Sequence, residues 1–158
     1  MRRLQILSLV IFIGLSFGCS DEDCCVNTDI SSLTKNMADL GCMDAPTSMM
    51  INANEAYLII TNREDYDTFV EGTCHPDIDF SQYQLIIGYF ISKKKVLTFD
   101  YKYYMSCENN FYKLSVSPAY ATGEENSENT MYFYQILVPN DETIDFLRVS
   151  FSDSQTKG

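Results

Sequence analysis

The chain has 158 residues, with 22 acidic side chains against 11 basic ones and a formal charge of −11. That excess repels polyanions, so no nucleic-acid partner is expected, while 46% hydrophobic residues suffice for one ordinary domain with a real core. Six cysteines, a single histidine and no C-x-x-C spacing argue against a zinc centre and for disulfides, so no metal or cofactor is expected.

The first element is a leader. Arg2 and Arg3 form a basic start, Leu4 to Phe17 is almost wholly apolar, and small Gly18 precedes Cys19. The apolar run is shorter than the roughly 20 residues of a membrane span and suits a secretory signal. The order of basic start, apolar run, small residue and cysteine resembles the lipobox of bacterial lipoproteins. The acidic Ser20-Asp21-Glu22-Asp23 that follows resembles the surface-export signal of Bacteroidota-type members. The resemblance implies cleavage after residue 18, an acyl chain on Cys19, and a lipid-anchored place on the outer membrane, exposed at the surface. Without Arg2 and Arg3 the charge becomes −13, so the membrane is a partner through the lipid alone.

Residues 19–55 are of mixed polarity and read as an acylated tether and a loosely structured, disulfide-tied arm. Leu33, Met37 and Leu40 stand at helical spacing within it. An oxidising compartment makes disulfides the default for the remaining cysteines. Cys74 and Cys107 both flank turns of the folded region and are expected to pair. Cys42 is expected to pair with Cys24 or Cys25, leaving the other as a free thiol.

From Ala56 to Ser152 the pattern sharpens into an α+β domain: a mostly antiparallel sheet of five or six strands with one packed helix. "AYLII" is a strand. Thr61 and Glu64 fit a capping box, Tyr66, Phe69 and Val70 form an apolar stripe, and Gly72 suits the end of that helix. Residues 83–91, "YQLIIGYFI", are apolar on both faces, as in a central strand covered on both sides. Leu97, Phe99, Tyr101, Tyr103 and Met105 alternate with polar residues, as do Tyr112, Leu114 and Val116, which predicts a hairpin turning at "SCENN". A long polar loop over "SPAYATGEENSENT" is expected next, then the strand "MYFYQILVP". A last strand carries Leu147, Val149 and Phe151 on one face, and a frayed tail covers 153–158.

The order of elements resembles the C-terminal domain of the PrcB protease-complex subunit. The residues that carry the resemblance are Asp65, Tyr66 and Phe69, then Ile78, Asp79 and Phe80, then Ile136, Val138 and Pro139, spanning roughly residues 57–140. The family's glycine-rich stretch after the buried strand is replaced here by "FISKKKVLTFDYKYY". The resemblance implies a non-catalytic accessory module of an envelope protein complex.

Chemistry is sparse. His75 is the only candidate for a nucleophile's base and stands in a loop before Pro76. Asp77 and Asp79 are candidates for calcium, with Asp79 better read as a turn residue. Residues 123–129 lack the ligand order of a calcium loop. Nine of the 11 tyrosines lie between residues 83 and 134. Tyr104 is out of phase with the apolar set of its strand and so faces solvent beside Lys102, a placement suited to partner contacts. The expected function is a protein-binding or assembly module of an outer-membrane complex, not an enzyme. The alternatives are a protease-associated regulator or inhibitor using the loop around Gly123, and a hydrolase with a carboxylate pair.

Overall fold

The computed structural model describes residues 27–42, 48–52, 54–106, 111–140 and 147–152. The signal segment, Cys19, Ser20 to Asp23, Cys24, Cys25 and Cys107 lie outside these. Among the described residues no helix is long and apolar enough to cross a membrane.

The domain is built on two long antiparallel strands, β5 (Tyr83–Met105) and β6 (Tyr112–Pro139), paired from Met105 opposite Tyr112 to Tyr83 opposite Pro139. The shorter elements are β1 (Thr28–Asp29), β2 (Met49–Ile51), β3 (Tyr57–Ile60), α1 (Arg63–Phe69), β4 (Val70–Gly72) and β7 (Leu147–Phe151). β1, β3, β5, β6 and β7 form a five-stranded sheet, and β2 pairs with β4 in a separate two-stranded one. All pairings are antiparallel except β6 with β7, which is parallel. The α+β expectation therefore holds.

Twenty-three extended residues would reach about 75 Å, far beyond one small domain, so the β5–β6 ribbon must fold back. It does so where the register slips, between Ser92 and Thr98. There β5 advances six residues while β6 advances eleven, from Ala119 to Thr130, and such bulges bend and twist a ribbon. The polar stretch expected as a loop is thus the bulged middle of a continuous strand. The same slip inverts the face of Leu97: Val96 is buried and Leu97 is half exposed, although Leu97 shares its spacing with Phe99.

Folding back makes two layers. The inner layer is β3 with the Tyr83–Ser92 half of β5 and the Thr130–Pro139 half of β6. The outer layer is β1, the remaining halves, and β7. Between them lies a core of Ile86, Phe99, Tyr103, Leu114, Val116, Tyr134 and Ile136. Phe99 meets Tyr134 edge-on at 6.0 Å, and the Tyr101 hydroxyl accepts the Gln135 N–H at 3.1 Å. The other face of the inner layer carries a second core of Leu85, Ile87 and Leu137 beneath Met37, Met49, Ile60 and Tyr66. This is why residues 83–91 are apolar on both faces. Gly88 is required at the centre, because a Cβ there would collide with the Tyr134 side chain and the Ala56 carbonyl.

Several expectations are corrected here. Cys74 is bonded to Cys42, with Cα atoms 5.7 Å apart, so it pairs neither with Cys107 nor leaves Cys42 for Cys24 or Cys25. The arm is correspondingly not a loose appendage over 28–42. Lys35 bridges Leu137 through two backbone hydrogen bonds of 2.9 and 3.0 Å, and Met37 is fully buried. The helix also starts one residue later than Thr61 and Glu64 suggested. Asn62 caps it by accepting the Asp65 N–H at 2.9 Å, and its amide donates to the Asp65 carboxylate at 2.7 Å. Gly72 belongs to β4 at φ +132°, where a side chain would strike the Ser48 carbonyl.

Candidate interaction surface

The residues singled out for chemistry are held by structural partners. The His75 imidazole Nε2 lies 3.3 Å from the Val70 carbonyl, and its ring packs on Tyr66 at 4.3 Å between centroids. Asp77 pairs with Arg63 at 3.0 Å. Asp79 accepts the Ser81 hydroxyl at 2.6 Å, the Ser81 N–H at 3.0 Å and the Gln82 amide at 2.8 Å, bonds that hold its carboxyl below the ordinary carboxylate range. Its role is the turn into β5. Among the described residues no three His, Cys, Asp or Glu side chains gather where an ion could be held.

Tyr66 is the buried oddity. Its hydroxyl is fully enclosed without a hydrogen-bond partner among the described residues, and burial pushes its ionisation up to about 12. An unpaired buried hydroxyl costs stability. Tyr66→Phe is therefore expected to leave stability equal or to raise it by about 1 kcal/mol, measured by urea unfolding; a loss above that size would reveal a partner for the hydroxyl. Because the folded ionisation lies above the unfolded value near 10, the neutral ring's contribution is complete below pH 10 and fades toward pH 12. The variant should show a shallower stability loss across that window.

The open surface lies elsewhere. Registered residues of neighbouring strands share a face, so the outer layer presents a row of Asp29, Tyr104, Lys113 and Arg148 on β1, β5, β6 and β7. The next row holds Lys102, Ser115 and Ser150, and beyond it lie Asp100 and Ser117. Tyr103, Leu114 and Val149 point the other way, into the core. Lys102, Asp100 and Arg148 are exposed, and Tyr104, Lys113, Ser115, Ser117 and Ser150 are half-buried. This places the two predicted residues, Tyr104 and Lys102, together on one open face and adds Lys113 and Arg148 to them.

The face carries charges of both signs, Lys102, Lys113 and Arg148 with Asp29 and Asp100. Arg63 is bridged to Asp67 and Asp77, and Lys95 to Glu124, but Lys102, Lys113 and Arg148 have no ion pair among the described residues. Arg148 only lies over the Phe111 ring at 5.7 Å. Asp29, in the same row, turns its carboxylate onto the Ser31 hydroxyl and N–H at 2.6 and 2.9 Å, and those bonds keep its pKa below the ordinary range.

Gly123 is far from this row in sequence and sits at φ +73° with open space around it, in the bulged part of β6 beside the Lys95–Glu124 pair. It is not gathered with Tyr104 and Lys102. A separate open groove of about 560 Å³ runs along β3 and is lined by Glu55 to Ile59. No family model matches the chain, and none of the curated proteins or solved structures matches it.

Proposed function

We propose that the protein is a lipid-anchored cell-envelope module that binds a partner protein and serves as an accessory subunit of an outer-membrane complex. The observation that carries this reading is the face of the outer layer where Tyr104 stands among Lys102, Lys113 and serines on the side of the sheet away from both cores. A rigid sheet supports the tyrosine, whose ring can bury area at low entropic cost while its hydroxyl stays wet. The leader, the cysteine at 19 and the acidic run after it support the anchor and the outer-membrane address. Likeness in element order to PrcB-type domains supports the accessory role.

The test is a pull-down from detergent-solubilised envelopes with wild type and the double variant Tyr104→Ala/Lys102→Ala. A stoichiometric partner should be recovered by the wild type, and recovery should fall about tenfold or more in the variant, as at an interface hot spot. Equal recovery by both would remove the face from the proposal. Fatty-acid labelling that marks the wild type and not Cys19→Ala checks the anchor independently.

A further inference from the structure

Strand β3 is an edge. It pairs with β5 on one side and with no described strand on the other. The Tyr89 N–H donates to the Ala56 carbonyl at 3.2 Å, and hydrogen-bonded residues alternate along an antiparallel ladder. Leu58 and Ile60, opposite Ile87 and Leu85, therefore turn their N–H and C=O groups to β5. Tyr57 and Ile59 turn theirs to the open side, where nothing among the described residues bonds to them. The open groove of about 560 Å³ follows this stretch, from Glu55 to Ile59. Natural sheets guard such edges with charge, proline, a bulge or short length. Of the sheet's other short strands, β1 carries Asp29 and β7 carries Arg148. β3 is uncharged over Tyr57–Ile60, with Ile59 exposed, and only its shortness guards it.

A row of open N–H and C=O groups selects its occupant by backbone, and the backbone that fits is an extended one. β3 is held ready for it. The Tyr57 hydroxyl donates to the Leu147 carbonyl of β7 at 3.0 Å, which fixes the strand in advance and lowers the ordering cost of binding. A second copy joined edge to edge does not suffice. Four residues give an edge about 13 Å long, and that edge buries far less than the roughly 1,200 Å² of a stable dimer. A single strand of a larger partner needs only to fill the groove. Charge sets one end of it, because Glu55 lines the groove, exposed and without an ion pair among the described residues. We infer that the free edge of β3 receives an extended segment of a partner protein as an added antiparallel strand, the commoner pairing. The segment is uncharged and β-branched opposite Tyr57 and Ile59, with a basic residue at its C-terminal end beside Glu55. This edge belongs to the inner layer, so the inference is independent of the outer face around Tyr104.

Amide hydrogen exchange of the wild-type chain, read residue by residue by NMR, tests it. In the protein alone the Tyr57 and Ile59 amides should exchange fast and those of Leu58 and Ile60 slowly. Protection of Tyr57 and Ile59 in the free protein would overturn the inference: if constant, the chain covers its own edge, and if rising with protein concentration, a second copy does. The probe is the peptide acetyl-TVTVK-amide. At about 1 mM it should slow exchange at Tyr57 and Ile59 several-fold and leave Leu58 and Ile60 unchanged. The same peptide with every backbone amide N-methylated should slow nothing, because it cannot donate to the edge. No slowing by the first peptide, or equal slowing by both, would overturn strand addition. Glu55→Gln should weaken binding about twofold to fivefold, as loss of an exposed ion pair does; equal binding by this variant would overturn the preference for a basic end.

Discussion

The double variant Cys42→Ser/Cys74→Ser should lose ~3–4 kcal/mol of unfolding free energy relative to the oxidised wild type, the chain-entropy value for a loop of this size. The bond spans 32 residues and encloses β2, β3, α1 and β4. On one side it holds the arm, where Cys42 is almost fully buried; on the other it holds the segment after β4, where the Thr73 and Cys74 N–H groups both donate to the Ser48 carbonyl at 3.0 and 3.1 Å. Cutting it frees the arm and the β2–β4 pair together in the unfolded chain and leaves the folded contacts in place. Urea titration with and without reductant measures the loss. Non-reducing peptide mapping should recover a linked Cys42–Cys74 peptide. A Cys74–Cys107 peptide, or a variant as stable as the wild type, would contradict the pairing.

Met37→Ala is expected to cost a further ~2–4 kcal/mol in its own right, the range for a buried methionine truncated to alanine. Met37 is fully enclosed in the core that also holds Tyr66, Leu85, Ile87 and Leu137. It is set there by a short 3₁₀ turn, Met37–Leu40, closed by a reciprocal Asn36–Asp39 capping box and by Gly41 at φ +81°. The Lys35–Leu137 bridge fixes the register of that turn on β6. An arm that hung free would tolerate the substitution within about 0.5 kcal/mol, as exposed positions do. The measured cost therefore decides whether residues 28–42 belong to the domain.

What the sequence made legible follows from where periodicity exists. The central strand could be read because Leu85 and Ile87 serve one core and Ile86 the other. The hairpin and the outward placement of Tyr104 could be read because a half-buried sheet alternates strictly. The stretch after Tyr120 misled because the bulged ribbon over 122–129 is mostly exposed, so its sequence carries the polarity of a loop. The cap moved from Thr61 to Asn62 because both positions are followed three residues later by an acid, and propensity alone does not choose between them. Cysteine spacing does not encode connectivity, and the approach of Cys42 to Cys74 depends on Met37 entering a core that lies elsewhere in the chain. Lys113 was visible as a polar alternate of its strand, but its neighbour Arg148 was not, since the parallel register of β7 is a tertiary fact with no local signal.

The same register makes the outer face a surface with its own chemistry, and a photo-reactive phenylalanine analogue placed at position 104 in living cells addresses it most directly. Irradiation should yield one discrete adduct of higher mass with an envelope protein, while the same analogue at Glu71, exposed on β4 on the opposite side of the inner layer, should yield none. No adduct at 104, or the same adduct pattern from both positions, would contradict a partner-binding role for this face.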